Sequence, residues 1–174
     1  MVKIALPDGV EASLEGGRIK LKGKKGSAER GFNEKYVSMR VNQGSIEIIP
    51  SKAKSIAKEA SHVENALASE IKAMIDGVQN GVEEKLQVVF AHFPITFEAK
   101  GDKLYIKNIF GERVPRVTRI IGDTKVSAQG QEIIVYGSDP YAVRQTAANI
   151  RLACKMPGKD SRVFQDGVYR AIEE

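Results

Sequence analysis

Residues 10–49 and 95–134 carry one pattern twice, 85 positions apart and without a gap. VEASLEGGRIKLKGKKG (Val10–Gly26) lies over ITFEAKGDKLYIKNIFG (Ile95–Gly111), so that Gly16 and Gly26 fall on Gly101 and Gly111, and Lys22 falls on Lys107. The apolar pair Ile19 and Leu21 falls on Leu104 and Ile106, Val41 on Val126, and Glu47-Ile48-Ile49 on Glu132-Ile133-Ile134. The seven identities over the forty positions coincide with turn glycines and with strand alternation, the positions that fix a backbone. A period this long describes two domains, whereas solenoid repeats run about 20–50 residues. The competing explanation is two unrelated hairpin sheets that share ordinary glycine turns.

Each copy reads as strands followed by a helix. Val10–Leu14 and Arg18–Lys22 alternate apolar with polar residues across Glu15-Gly16-Gly17, the pattern of a tight hairpin with one buried face. Lys22-Gly23-Lys24-Lys25-Gly26 follows as a basic tip, read either as a mobile, phosphate-seeking loop or as a solvated turn. Tyr36–Val41 and Ile46–Ile49 are two further strands, joined at Gln43-Gly44 and stopped by Pro50. From Ser51 to Gly77 apolar residues recur at spacings of three and four, which predicts an amphipathic helix, or two with a break at Ser61-His62. The boundary between copies falls at Gly77–Gly81, giving domains 1–81 and 82–174.

In the second copy the strands are Leu86–Ala91, Ile95–Lys100, Lys103–Lys107, Arg113–Arg119, Lys125–Ala128 and Glu132–Tyr136. Gly137-Ser138-Asp139-Pro140 then opens a helix, with Ser138 or Asp139 as cap and Pro140 in the first turn. Tyr141, Val143, Ala147, Ile150 and Cys154 are its expected buried face. The fold class that follows is α+β: two similar domains, each an antiparallel sheet packed against a helix.

Composition narrows the function. A 42% apolar content supports real cores, and no stretch approaches the roughly 18 apolar residues of a membrane span. The start MVKIALPDG lacks a secretory apolar region, so a cytosolic protein is expected. The single Cys154 cannot form an internal disulfide, and His62 and His92 stand isolated, each read as structural. No nucleophile elbow, phosphate-binding Gly-Lys-Ser/Thr loop or metal-ligand spacing occurs, so neither catalysis nor a metal or other cofactor is implied.

What the chain does hold is cations. The formal charge is +5 with a pI near 9.3. Residues 1–85 carry a balance of +2 and residues 86–174 a balance of +3, the last two acids being Glu173-Glu174, so the second copy is the expected anion-binding half. Lys100, Lys103 and Lys107 follow the second hairpin. Arg113, Arg116 and Arg119 are spaced three apart on an apparent strand that Pro115 marks as an edge or bulge. Spacing by three alternates faces, so Arg113 and Arg119 should point one way and Arg116 the other, unless a bulge re-aims them. Guanidinium groups fit bidentate phosphate contacts and rank above the lysines; a merely solvated face remains the alternative.

The C-terminal string Lys159-Asp-Ser-Arg162-Val-Phe164-Gln-Asp166-Gly167-Val-Tyr169 resembles the signature of the large-subunit ribosomal protein six family in its archaeal and eukaryotic branch. GSDPYAVRQTAANIR occupies the place of that family's last helix, and AHFPI (Ala91–Ile95) and the Gly-x-Lys hairpins are similar to it as well. The resemblance implies two copies of a small α+β domain, no enzymatic activity, no cofactor, and a cytoplasmic, ribosomal location. Its implied partners are large-subunit rRNA, neighbouring ribosomal proteins near the stalk base, and translational GTPases that dock close by. By matching positions, Lys159, Arg162 and Tyr169 belong to a tail that enters RNA, with Phe164 and Asp166-Gly167 shaping its turn; Lys155 and Arg170 flank them as further RNA-binding candidates. The alternative is that Phe164 and Tyr169 only pin the tail to the second domain, a reading that holds at least equally for Phe164. The Tyr-Lys-Gly-Lys-Gly string of the bacterial branch is absent, and Met156-Pro157-Gly158-Lys159 stands in its place. The competing function is a free protein-interaction or small enzyme module whose basic face is incidental; it would be marked by a deep apolar pocket with converging polar groups.

Overall fold

The structure, a computed structural model, describes residues 1–171 except 43, 54, 90–92 and 161. Expectations for Gln43, the Ala91 end of the first strand of the second copy, Ala91-His92 of AHFPI, Ser161 and Glu173-Glu174 lie outside the described residues. Two compact units form, Met1–Gly81 with Ser138–Pro140, and Val82–Gly137 with Tyr141–Glu174.

The first unit contains β1 (Val2–Ala5), β2 (Glu11–Glu15), β3 (Arg18–Gly23), β4 (Gly26–Gly31), β5 (Val37–Asn42), β6 (Ser45–Pro50) and α1 (Ala57–Asn80). These strands make two antiparallel three-stranded sheets, ordered β1-β6-β5 and β2-β3-β4, where one sheet per copy was expected. Ile19, Leu21, Ile46 and Ile48 from the strands and Leu67, Ile71, Met74 and Val78 from α1 share one core. The helix begins later than the sequence predicts and has no break at Ser61-His62, because its apolar stripe continues through Ala60, Leu67 and Ala68 into that core. Burial of such a stripe outweighs the weak helix preference of one Ser-His pair. At its far end Gly81 takes φ 83° and donates its N–H to the Gly77 carbonyl.

The Lys22–Gly26 tip differs from a mobile loop. Gly23 pairs with Gly26 across a tight turn, and the Lys25 N–H donates to the Val78 carbonyl at 2.9 Å. A Cβ on Gly23 would lie 2.6 Å from that same carbonyl oxygen, so only glycine allows the tip to dock on the last turns of α1.

The second unit contains β7 (Val82–Val89), β8 (Thr96–Lys100), β9 (Lys103–Lys107), β10 (Arg116–Arg119), β11 (Lys125–Gln129), β12 (Glu132–Gly137), α2 (Pro140–Ala153) and β13 (Gly167–Arg170). Its sheets are ordered β10-β9-β8 and β11-β12-β7-β13. The plan repeats the first unit, with β7 in the place of β1 beside β12, and β13 added at the outer edge. Leu86, Leu104, Ile106, Ile133, Val135, Val143, Ile150 and Cys154 form its core. Tyr141 departs from the expected buried face of α2: it is exposed, and Ala142 is the buried neighbour.

The first hairpins keep the spacing of the sequence alignment. Glu11 pairs with Lys22 and Glu15 with Arg18, just as Thr96 pairs with Lys107 and Lys100 with Lys103. The second hairpins do not, since the closing pair Asn42 and Ser45 has its counterpart in Gln129 and Glu132, two positions beyond a gapless match. Added length enters after β9, where a single 3-10 turn (Ile109–Gly111) and residues 112–115 replace the two-residue tip of the first copy.

Candidate nucleic-acid interface

Residues directly opposite in antiparallel strands point to one side of the sheet, so the registers of β8, β9 and β10 define a face. Leu104 and Ile106 on β9 are buried, hence Lys103, Tyr105 and Lys107 face outward with their cross-strand partners. One row is Lys100, Lys103 and Arg119, a second is Glu98, Tyr105 and Val117, and Thr96 stands beside Lys107. Three cations thus lie side by side across three strands. Like charges directly opposite weaken a sheet, and of the three only Lys100 has a compensating carboxylate, Glu98, among the described residues.

The corresponding face of the first unit is neutral. Glu15 stands opposite Arg18, Glu11 opposite Lys22, and Glu29 opposite Lys20, with Arg18 Nη1 donating to Glu29 Oε1 at 2.9 Å. The same backbone therefore carries balanced charge in one copy and excess positive charge in the other.

Glu98 is the acid within the basic face. Lys107 Nζ lies 2.5 Å and Lys100 Nζ 2.9 Å from its two carboxylate oxygens. Hydrogen bonds from Lys107 and then Lys100 hold its carboxyl well below the usual carboxylate range, at about 2. Lys100 is held above its ordinary value chiefly by the hydrogen bond to Glu98, and it also sits 5.8 Å from the centre of the Tyr105 ring. Lys103 and Arg119 have no ion-pair partner among the described residues.

The three arginines separate. Arg113 precedes the strand, which starts at Arg116, so it lies in an exposed loop and not on the expected strand. Arg116 and Arg119 occupy opposite faces, with Arg116 turned inward opposite Ile106. Its Nη1 donates to the carbonyls of Ala153 at 2.8 Å and Lys155 at 3.0 Å, while Nε donates to Glu112 Oε2 at 2.8 Å. The guanidinium also stacks 5.3 Å from the Phe110 ring centre. Arg116 is consequently a clamp on the end of α2 and is removed from the surface cations. Glu112 holds it charged, and is itself held below the usual carboxylate range by Arg116.

The C-terminal candidates also divide. Gly167–Arg170 is a strand of the sheet, not a free tail: Tyr169 pairs with Gln87 and Val168 is buried in the core. Arg170 Nε bonds Glu84 at 2.8 Å. Arg162 is exposed yet folded onto Asp160, which accepts from its side chain and its backbone N–H; that pairing keeps Asp160 below and Arg162 above their ordinary values. Phe164 pins the segment, its ring 5.6 Å from that of Phe110.

Lys155, Lys159 and Tyr169 meet in an open groove of about 680 Å3, walled by the last turns of α2 on one side and by residues 164–169 on the other. Arg151, Leu152 and Met156 complete it. Sequence reasoning passed over these three. Arg151 lies on the last turn of α2, whereas Lys155 and Lys159 follow in non-helical chain, so no helical periodicity links them in the sequence. Cys154, at the floor, is buried, and desolvation pushes its thiol up to about 12, so it is an inert core residue. Among the described residues no group of His, Cys, Asp or Glu is arranged to hold a metal ion, and no helix is long and apolar enough to cross a membrane.

These features define a duplicated α+β protein in which the β2-β3-β4 face of the first copy is balanced in charge and the β8-β9-β10 face of the second is cationic. A family model described as ribosomal protein L6 matches residues 93–167, which span the cationic face and most of the groove. The large ribosomal subunit protein uL6 of Aeropyrum pernix is 41% identical over 168 residues, covering 96% of this chain and 91% of the relative. The proteins of the same name from Methanosarcina mazei and Picrophilus torridus are 40% and 38% identical, again over at least 95% of this chain. The chain belongs to the ribosomal protein L6 family, in its archaeal type, a family of structural and non-enzymatic proteins.

Proposed function

We propose that this protein is a structural constituent of the large ribosomal subunit in the cytoplasm, and that its second domain, 82–174, attaches it to large-subunit rRNA. The Lys100, Lys103 and Arg119 row carries this reading, because three cations side by side across a sheet, two of them without an ion-pair partner among the described residues, suit the repeating charge of a phosphate backbone. Lys107 adds a fourth cation to the same face, and Tyr105, on the row between, offers a ring on which a ribose or base can rest. Dispersed Lys and Arg supply salt-sensitive backbone affinity, and A-form RNA is read chiefly by shape, so the role is attachment and rigidity and not sequence recognition. Domain 1–81, with its neutral face, is assigned to neighbouring ribosomal proteins. A position by the stalk base, close to docked translational GTPases, follows from the family resemblance.

The test is RNA binding by the Lys103→Ala/Arg119→Ala double variant. Affinity for duplex RNA should fall, and the slope of log K against log salt should shrink by roughly 0.9 for each phosphate that is no longer neutralised. An unchanged slope would remove the row from the interface.

A further inference from the structure

The groove between α2 and β13 is separate from the flat sheet face and has a different chemistry. Arg151, Lys155 and Lys159 line it without an ion-pair partner among the described residues, while of its two acids Asp160 is engaged by Arg162 and Asp166 is buried. Leu152 is largely exposed beside them, and Tyr169 closes the opposite side. The Tyr169 ring folds back over Gly167, whose φ of 155° favours glycine, and a Cβ there would meet the ring at 3.6 Å. The backbone that carries the ring is fixed by the pairing of Tyr169 with Gln87 of β7. The groove's volume of about 680 Å3 falls within the roughly 300–1,000 Å3 of small-molecule sites, which is ample for one nucleotide and too small for a double helix.

We infer that this groove receives an unpaired nucleotide of RNA, its base against Tyr169 and Leu152 and its flanking phosphates on Arg151, Lys155 and Lys159. The inference rests on the RNA-binding reading above and adds a single-stranded site to it. An aromatic ring in a groove lined by several cations is the arrangement by which splayed bases are held without sequence preference. Peptides are disfavoured as occupants, since three cations without an ion-pair partner among the described residues match the repeating charge of a phosphate backbone and not a peptide main chain.

Fluorescence anisotropy of the full chain with two probes tests this: a labelled oligouridylate single strand and a fully paired RNA hairpin. Tyr169→Ala should weaken single-strand binding about tenfold, the scale of one base stack, and leave hairpin binding within about twofold of the parent. Tyr169→Phe, which keeps the ring, should bind both probes as the parent does. Lys155→Ala/Lys159→Ala should weaken the single strand and flatten its salt dependence. Unchanged single-strand affinity in Tyr169→Ala, an equal loss on both probes, or a parent chain that binds only the hairpin would each overturn the groove assignment while the proposed function stands. A parent chain that binds neither probe would overturn both.

Discussion

Glu98 is the residue on which the cationic face turns. Its carboxylate holds Lys100 and Lys107, so two of the four outward cations are partly neutralised until a stronger anion competes. Replacing it with glutamine should free both lysines, tighten RNA binding and steepen its salt dependence; filter binding across a salt series reads this, and weaker binding would contradict it. The same residue leaves a mark on stability. Because its folded carboxyl titrates at about 2 against an ordinary 4.5, the native state binds fewer protons than the unfolded chain between those values. Its contribution is therefore complete above about pH 4.5 and is lost as pH falls through about 2. Denaturation curves of Glu98→Gln should show a shallower loss over that acid window than the parent, and parallel curves would deny the ion pairs any weight. Arg116 makes the opposite case. Arg116→Lys keeps the charge but loses the fork that reaches Ala153, Lys155 and Glu112, so thermal stability should drop by about 1–3 kcal/mol while RNA affinity holds. In the sequence Arg113, Arg116 and Arg119 are three equal cations; alternation alone separates Arg116 from Arg119, and only the folded contacts reveal that one guanidinium is spent inside the domain.

The β2-β3 and β8-β9 hairpins are the most legible elements, because alternation, glycine turns and the repeat all agree on them. The other strands are harder. Both β1 (VKIA) and β4 (GSAERG) escape the sequence pattern: the first has four residues, and the second has one buried apolar side chain, Ala28. What makes β4 a strand is its neighbour β3 and the ion pair from Arg30 to Glu70 of α1, at 2.9 and 3.0 Å, neither of which local pattern records. The glycine-rich tip between β3 and β4 reads as loose for the same reason. Its glycine serves a contact, not freedom: Gly23→Ala would press a methyl into the Val78 carbonyl and should destabilise the first domain by about 1–3 kcal/mol in urea melts, with no effect on the RNA affinity of the second. A neutral result would mean that α1 can yield at its last turns. At the C-terminus the sequence suggests a charged tail, and the structure instead makes it a strand whose Val168 closes the core; a run of four residues with one buried side chain gives almost no periodic signal.

At the scale of the molecule, duplication supplied the scaffold, and the placement of charge on the corresponding sheet faces separates the copies. The fold class is legible in the repeat, and the family in the terminal string. The groove is not, since it joins residues from α2 to residues a turn and a strand later. The gapless repeat also hides the extra segment after β9 that carries Phe110 and supports the Arg116 clamp. The proposed role predicts where the protein resides. The most direct measurement is sedimentation of a native lysate through sucrose gradients at low and moderate salt, following this chain by immunoblot. Co-migration with the large subunit at both salts is the expected result, and confinement to the light fractions at both would contradict the account.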